Sequence, residues 1–247
     1  NAFLATKISF INEIANLCDT LNIDVSQVTK GIGADNRIGR YFLHPGPGYG
    51  GACFPKDTQA LAFIGKENGV ELKIVNAAIE INNRQVHIIV EKIRALTGNL
   101  AGKHIGLLGL SFKPETDDIR NAPALALIDQ LLAEGCTICA YDPVAMPNTQ
   151  AEIGDRVQYG KDPYHAVSDT NAVVLMTEWN QFRLLDLQKL ADSVREKNFV
   201  DARNVYEVSS MHEHGFTYRG VGRHSSDGDQ TVHLEDIEVS YGGLSDF

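Results

Sequence analysis

Basic residues are too few in this sequence to form a surface for nucleic acid. The 247 residues include 22 Lys and Arg against 32 Asp and Glu, which gives a net charge of −10. Nucleic acid and anionic membrane surfaces both require a basic face that meets phosphate groups, so neither is an expected partner. Long apolar runs are also lacking. None approaches the ~20 residues of a membrane span. The N-terminus has no basic segment followed by an apolar one, so no secretory signal is predicted.

Cysteine is scarce as well. Four cysteines in a chain of this length do not make a disulfide scaffold, so a reducing cytoplasm is the expected compartment. Cys136 and Cys139 have the C-x-x-C spacing of redox and zinc sites, but they fall in a predicted strand, where residues three apart point to opposite faces. We therefore expect neither a disulfide nor a zinc ion there, and the sequence predicts no metal site.

The first residues are already in helical register, although the sequence begins with Asn1 and shows no helix cap there. Apolar side chains recur at steps of three and four along two adjacent faces of this helix. One face carries Leu4, Ile8, Ile11, Ala15 and Cys18, and the other carries Phe3, Phe10, Ile14, Leu17 and Leu21. A helix that is apolar on two sides is expected to be buried. We interpret a buried helix at the first residue as a sign that the sequence is the C-terminal part of a longer chain.

Residues 1–97 are predicted to be helical, apart from a loop at 34–52 that is dense in glycine and proline. The longest helix covers 72–96, where apolar residues form a seam of heptad-like spacing with Asn82 inside it. Such a seam suits a partner helix across a dimer interface, with Asn82 fixing the register, and it suits a core helix equally well. The spacing alone does not choose between these two interpretations.

After Gly98 the pattern changes to short apolar runs that alternate with amphipathic segments. Strands are predicted at 103–110, 136–141, 172–177, 198–201 and 216–221, and helices at 123–134, 162–168, 184–197 and 205–214. This alternation predicts βαβ units and a parallel sheet. We therefore expect an α/β protein in which an all-helical domain at 1–97 precedes a Rossmann-like domain at 98–224, with a polar, acidic tail at 225–247.

The stretch that carries most chemical information is 50–57, Gly-Gly-Ala-Cys-Phe-Pro-Lys-Asp. Pro55 fits the first turn of a helix, which puts Cys53 at a helix N-terminus, where unpaired N–H groups and the helix dipole favour a thiolate. Lys56 adds positive charge, and Asp57 follows one turn after the cysteine. A thiolate beside a carboxylate suits covalent catalysis on a carbonyl, with the carboxylate activating water. A glycine-rich turn capped by a small packed cysteine accounts for the same residues.

A second candidate region follows the first predicted strand. Loops at the carboxyl ends of strands bind the ligand in doubly wound sheets, so Lys113, Arg120 and the next helix N-terminus suit a phosphate, although a solvated turn would have the same sequence. Gly106 and Gly109 do not make the Gly-x-Gly-x-x-Gly pattern of a dinucleotide site. An NAD site is therefore not readable in this half of the sequence.

Several segments together resemble the UDP-glucose/GDP-mannose dehydrogenase family. They are NAFLATKISFINEIANL, GADNRIGRYFLHPGPGYGGACFPKD, GLLGLSFKPETDDIRNAP, YDP, TEW and DARN, within residues 1–224. Members of this family have an NAD-binding Rossmann domain, a helical dimerisation domain and a UDP-binding domain, and this sequence is similar to the last two. The resemblance implies a homodimer formed through the helical domain, and it is strongest to the branch that acts on UDP-glucose.

The resemblance implies a reaction as well. The C6 alcohol of UDP-glucose is oxidised to a carboxylate with two NAD⁺, through a thiohemiacetal and a thioester on Cys53. Asp57 is expected to assist water, Asn1 to help hold the oxygen of the reacting carbon, and Lys56 to belong to the same catalytic group. The catalytic lysine of the family lies upstream of Asn1, so this chain alone is expected to be inactive.

Substrate and cofactor contacts are implied at further positions. Arg37 matches an arginine that reaches the sugar bound by the partner subunit, and Arg120 matches a contact to the NAD pyrophosphate. The other expected substrate-binding residues are Tyr49, Gly50, Gly51, Phe54, Phe112, Lys113 and Arg203.

Alternatives to this assignment stay open at the level of sequence. The same chemistry could act on GDP-mannose or on a UDP-N-acetylhexosamine, because the loops that select the base and the sugar are not readable without a structure. A dimeric scaffold that binds a nucleotide sugar without turnover would keep the same fold.

Overall fold

The computed structural model describes residues 1–223, so the predicted tail at 225–247 lies outside the described residues. The first part of the chain is helical. Asp24 caps its second helix by accepting a hydrogen bond from the Ser26 N–H at 2.8 Å. The helices are α1 (Ala2–Leu21), α2 (Val25–Gly33), α3 (Cys53–Glu67) and α4 (Lys73–Thr97).

The second part of the chain is a six-stranded parallel sheet with helices on both faces. The strands are β1 (His104–Leu108), β2 (Thr137–Tyr141), β3 (Gln158–Tyr159), β4 (Ala172–Leu175), β5 (Asn198–Asp201) and β6 (Thr217–Gly220). Their order across the sheet is β3-β2-β1-β4-β5-β6. This doubly wound arrangement confirms the predicted α/β class and places a topological switch point between β1 and β4.

Short helices connect the strands. They are α5 (Pro123–Ala133), α6 (Met146–Ile153), α7 (Pro163–Ala166), α8 (Asn180–Arg183), α9 (Leu187–Ser193) and α10 (Val208–Glu213). The sequence pattern missed α6, α8 and β3, because elements of two to eight residues are too short to show a clear period. Helix α9 is shorter than predicted, since Asp186 caps it by accepting a hydrogen bond from the Lys189 N–H at 3.0 Å.

Alternate residues of the strands pack on opposite faces of the sheet. On one face, Leu107 and Val174 belong to a cluster with α4 and α5, and on the other, Phe199 packs with α9 and α10. Cys136 and Cys139 belong to these two separate clusters, and all four cysteines are free thiols. The prediction that the C-x-x-C pair points to opposite faces is confirmed.

The C-terminal half of α4 is a core helix of its own chain. Val86, Ile89 and Ile93 are buried in the cluster that covers one face of the sheet. The side chain of Asn82 is bonded to the backbone of Tyr49 in its own chain. Nearer the start of α4, the seam residues Leu72, Val75 and Ile79 are half-buried. The apolar seam is therefore fully buried only in its C-terminal half.

The prediction that α1 is buried on two sides is wrong for residues 1–223. One face is buried at Ile11, Ala15 and Cys18, where α2, α3 and α4 approach the helix. The neighbouring helices leave the other face open, and its side chains Phe3, Phe10, Leu17 and Leu21 are exposed. This face is therefore an apolar surface of the described chain. None of the described helices has the length and apolar character of a membrane span.

The residues that follow β6 contact the helical part and fix its position. The Gly222 carbonyl accepts a hydrogen bond from the Val25 N–H at 2.9 Å, and the Gly222 N–H donates to Asp19 at 3.0 Å. Asp19 also forms a largely buried ion pair with Lys92 of α4. Burial lowers the pKa of Lys92, and the negative charge of Asp19 opposes that shift. These contacts fix the helices relative to the carboxyl edge of the sheet.

Asp142, which directly follows β2, is a fully buried carboxyl group. One of its oxygens accepts hydrogen bonds from the backbone N–H groups of Leu110 and Ser111 and from the indole N–H of Trp179. The other oxygen accepts from the turn that follows β2. A buried carboxylate is stable only when such donors replace water. Asp142 therefore fixes the loop that leaves β1.

We expect Asp142→Asn to lower the free energy of unfolding by about 2–4 kcal/mol, because the new amide N–H groups would face donors instead of acceptors. Urea denaturation followed by circular dichroism and by the fluorescence of Trp179, the single tryptophan, measures this change. Asp129→Asn is the control, since Asp129 is 62% exposed in its ion pair with Arg156 and should cost less than about 1 kcal/mol. Equal losses for the two variants would contradict this prediction.

Candidate active site

A cleft of about 650 Å³ opens between the helical part and the carboxyl ends of β1, β4 and β5. The helical part contributes the loop that precedes α3 and the first residues of that helix. The sheet part contributes the loops that leave the three strands. Of the predicted site residues, the cleft is lined by Tyr49, Gly50, Gly51, Cys53, Phe54, Phe112, Lys113, Arg120 and Arg203.

Cys53 is the first residue of α3 and is exposed to solvent, whereas the other three cysteines are buried. The predicted position at a helix N-terminus is confirmed. Two cations are close to its sulfur. Hydrogen bonds to Asp57 and Asp118 raise the pKa of Lys56 and of Arg120 respectively, and the charge of a Cys53 thiolate adds to both shifts.

The two glycines before Cys53 permit close contact with the sheet part. Gly51 has a φ of +78°, and a Cβ on it would lie 2.8 Å from the ring of Phe112. A Cβ on Gly50 would lie 2.3 Å from the Asn121 carbonyl oxygen. The Gly51 N–H donates to the Arg120 carbonyl at 2.8 Å, and the Asn121 side-chain amide donates to the Gly51 carbonyl at 3.1 Å. The absence of side chains here lets the cysteine loop lie against Phe112 and Asn121.

Asp57 lies one turn along α3 from Cys53, outside the lining of the cleft. The Lys56 ammonium contacts one of its oxygens at 2.5 Å, and the Asn1 side-chain amide donates to the other. The hydrogen bond from Lys56 is the main cause of the lowered pKa of Asp57, and the bond from Asn1 adds to it. The structure therefore brings Asn1, Lys56 and Asp57 together beside Cys53, with Asp57 held as a carboxylate.

Arg203 reaches the cleft from the loop after β5. Its Nε donates to the Met176 carbonyl at 2.8 Å and its Nη2 to the Phe112 carbonyl at 3.1 Å, while Glu178 lies 3.0 Å from Nε. Arg203 therefore holds the Phe112 loop as well as lining the cleft. The Lys113 ammonium lies 5.4 Å from the centre of the Phe112 ring and is free to move toward an anion in the cleft.

Arg120 and Arg37, predicted to contact NAD and the sugar of the partner subunit, lie in different places relative to the cleft. Arg120 lines the cleft and pairs with Asp118 at 2.7 Å, which lowers the pKa of that carboxyl group. Arg37 pairs with Asp35 at 2.6 Å, and its side chain is 89% exposed. Arg37 does not line the cleft of its own chain.

Sequence reasoning missed several residues of the cleft. His44 and Glu178 belong to the segments HPGPGYGG and TEW, which carried the family resemblance without a role for these side chains. Spacing gives no signal for these residues, because they meet only when the helical part folds over the sheet. The missed residues are Ile8, Tyr41, Phe42, His44, Gly46, Gly48, Ala52, Asp118 and Glu178.

The glycines in and directly after β1 do not form a cradle for a dinucleotide. A Cβ on Gly106 would lie 3.0 Å from the Ala166 carbonyl oxygen, and one on Gly109 would lie 2.5 Å from the side chain of Thr177. Both positions are glycine because neighbouring protein atoms fill the space, and neither opens a cradle for a pyrophosphate. Residues 1–223 also hold no group of three or more His, Cys, Asp or Glu arranged for a metal ion.

We expect Lys56→Met to raise the pKa of Asp57 toward the ordinary aspartate value, because the main hydrogen bond to the carboxylate is lost. Carbon-detected NMR titration of labelled aspartate measures the shift. Lys66→Met is the matched control, since Lys66 is an exposed lysine in the last turn of the same helix. An unchanged Asp57 pKa in the Lys56 variant would contradict the assignment of its cause.

Comparison with known proteins identifies the family. The central domain of the UDP-glucose/GDP-mannose dehydrogenase family matches residues 1–84, and the UDP binding domain of the same family matches residues 106–208. The UDP-glucose 6-dehydrogenase TuaD of Bacillus subtilis is 45% identical over 223 residues, which are 90% of this chain and 48% of that protein. The UDP-glucose 6-dehydrogenase of Rhizobium meliloti is 43% identical over 224 residues, 90% of this chain and 51% of that protein.

A solved structure agrees with this assignment. The UDP-glucose dehydrogenase from the hyperthermophilic archaeon Pyrobaculum islandicum superimposes with a TM-score of 0.81 and 37% identity, covering 90% of this chain and 49% of that one. This chain therefore spans about half the length of the relatives that it matches. With both domains matched in order and the fold shared, the chain belongs to the UDP-glucose/GDP-mannose dehydrogenase family.

Proposed function

We propose that this chain is the substrate-binding and nucleophile-bearing part of a cytoplasmic, NAD-dependent UDP-glucose 6-dehydrogenase. The observation that carries the proposal is the position of Cys53, an exposed thiol in the first turn of α3, in a cleft that both parts of the chain line. Residues 1–97 serve as the dimerisation domain and 98–224 as the UDP-binding domain. A scaffold without turnover has no use for an exposed thiol beside two cations.

The chemistry assigned to Cys53 is covalent. Its thiolate attacks the C6 aldehyde of the sugar, a C–S bond forms, and the carbonyl oxygen takes a proton to give a thiohemiacetal. After oxidation to the thioester, water attacks the carbonyl carbon, the C–S bond breaks, and Asp57 accepts the proton of the water. Asn1 orients Asp57 through its side-chain amide.

The proposal includes NAD as the cofactor because the chain belongs to a family of NAD-dependent dehydrogenases. Neither Gly106 nor Gly109 opens a cradle for a pyrophosphate, and Arg120, which lines the cleft, is the residue that the resemblance assigns to NAD. The chain's own residues therefore supply the nucleophile, the contacts to the substrate and the activation of water, while the oxidation steps depend on a dinucleotide site elsewhere.

The residues that face the cleft suit a nucleoside diphosphate sugar. Lys113 and Arg203 provide positive charge for the diphosphate, in a chain whose net charge is −10. The rings of Tyr49 and Phe54, whose centres lie 5.8 Å apart, provide apolar faces near Cys53 for the sugar. The cleft therefore combines a cationic region with an aromatic one.

We propose a homodimer formed through the helical part. The exposed face of α1 is apolar, and further exposed apolar side chains lie on α3, on the loop after it and on α4, at Phe63, Ile64, Val70 and Ile74. Large exposed apolar surfaces are typical of permanent interfaces. Arg37, which is exposed and lies outside its own cleft, is free to reach the cleft of a partner subunit.

We expect the 247-residue chain to bind UDP-glucose more tightly than GDP-mannose or a UDP-N-acetylhexosamine in calorimetric titrations. Lys113→Ala should weaken UDP-glucose binding about tenfold, because a hydrogen bond to a charged phosphate is lost. Lys161→Ala is the control, since Lys161 is an exposed lysine outside the cleft. A preference for GDP-mannose or for an N-acetylated sugar would reassign the substrate, and no binding of any nucleotide sugar would overturn the proposal.

The dimer is tested by sedimentation or light scattering. We expect a mass of two chains for the wild type and of one chain for Leu17→Lys, because a charge on the exposed face of α1 opposes burial in the interface. Leu184→Lys is the matched control, since Leu184 is 84% exposed in the sheet part. A monomeric wild type, or a Leu17 variant that stays dimeric, would count against this interface.

A further inference from the structure

The loop that leads to Cys53 is buried at residues 46–49. The cleft lies on one side of these residues, and a second cavity of about 340 Å³, lined by Pro47, Tyr49 and Asn82, lies behind them. Buried backbone N–H and C=O groups need hydrogen-bond partners within the protein. The position of the loop therefore depends on the groups that bond to its backbone.

Asn82 of α4 bonds to both the N–H and the carbonyl group of Tyr49 in this loop. Its side-chain oxygen accepts a hydrogen bond from the Tyr49 N–H at 2.7 Å, and its side-chain N–H₂ donates to the Tyr49 carbonyl at 3.2 Å. Gly48, with a φ of +102°, makes room for this contact, since a Cβ there would lie 2.8 Å from the Asn82 side-chain oxygen. The side-chain amide of Asn82 therefore pairs with the backbone of Tyr49 as a neighbouring β-strand would.

Gly46 is held at both of its polar groups as well. Its N–H donates to the side-chain oxygen of Asn12 in α1 at 2.8 Å, and its carbonyl accepts from the side-chain amide of Gln85 at 3.0 Å. Asn16 donates to the Gln85 side-chain oxygen at 3.1 Å and so sets the orientation of that amide. Carboxamides from two helices therefore fix the start of the loop at Gly46, and Asn82 fixes its end at Tyr49.

Tyr49 connects this support to the helix that bears the cysteine. Its ring packs edge-on against Phe54, with centres 5.8 Å apart, and its hydroxyl group bonds to Thr58 in the next turn of α3. The first turn of α3 contains Cys53 and Phe54. A shift of Tyr49 therefore moves the N-terminus of α3 relative to the sheet part.

We propose that Asn82 is a positioning residue, which sets the placement of Cys53 in the sugar end of the cleft by holding the backbone of Tyr49. This inference rests on the proposed function for its substrate, UDP-glucose, but the placement of Cys53 can be measured without substrate. Asn82 acts on the loop and α3 and makes no contact with the diphosphate end of the cleft.

The test uses the full 247-residue chain and the variants Asn82→Ala and Asn82→Asp. The rate of Cys53 alkylation by iodoacetamide at pH 7 should fall about two- to fivefold in both variants, because a shift of α3 relative to the sheet part moves the Cys53 sulfur away from Arg120. The other cysteines are buried, so alkylation of the folded chain reports on Cys53. Affinity for UDP-glucose should fall to that for UDP, while affinity for UDP itself stays unchanged.

Asn83→Ala is the matched control, since Asn83 is an exposed neighbour on the same helix that also borders the rear cavity. It should leave the alkylation rate and both affinities unchanged. A lower melting temperature in the Asn82 variants with an unchanged alkylation rate would show a structural role only and would overturn the inference. The aspartate variant, which is isosteric, covers the case in which the alanine variant does not fold.

The two proposals fail in different ways. A wild-type chain that binds no UDP-glucose would overturn the proposed function, while the alkylation rates would still decide the role of Asn82. A wild-type chain that prefers UDP-glucose to UDP, together with Asn82 variants that keep that preference and the alkylation rate, would overturn the role of Asn82 alone.

Discussion

The site depends on one contact, in which the backbone of Gly51 meets the loop that follows β1. Gly51 exchanges hydrogen bonds with Arg120 and Asn121, and the ring of Phe112 occupies the space that a side chain on Gly51 would need. The contact joins the helical part to the sheet part at the point where Cys53 begins α3. Without it, the thiol and the cationic loops would belong to two separate surfaces.

Two buried carboxyl groups organise the sheet side of that contact. Asp142 fixes the loop after β1, and Asp201 accepts hydrogen bonds from the N–H groups of Arg203 and Tyr206 in the loop after β5. Burial raises the pKa of Asp201, and the hydrogen bonds from its own loop oppose that shift. Both groups lie at the carboxyl edge of the sheet, where they turn the chain so that Phe112 and Arg203 face the cleft.

Two cations that line the cleft are paired with carboxylates of the same chain. Arg120 is paired with Asp118, and Arg203 with Glu178. Paired cations keep their positions, so the cleft offers an arranged set of donors to the diphosphate that we propose as its ligand. Lys113 lines the same cleft, so this part of an acidic chain carries local positive charge.

The sequence by itself determined the features that depend on neighbours along the chain. Periodicity predicted the helices and the buried strands, and Pro55 predicted that Cys53 begins a helix, since each signal acts between near neighbours along the chain. Only the tertiary structure decided that one face of α1 is exposed, that Asn82 bonds to Tyr49, and that His44 and Glu178 line the cleft. These outcomes depend on which elements meet across the fold, and contacts between residues far apart in sequence leave no period that can be read from the chain.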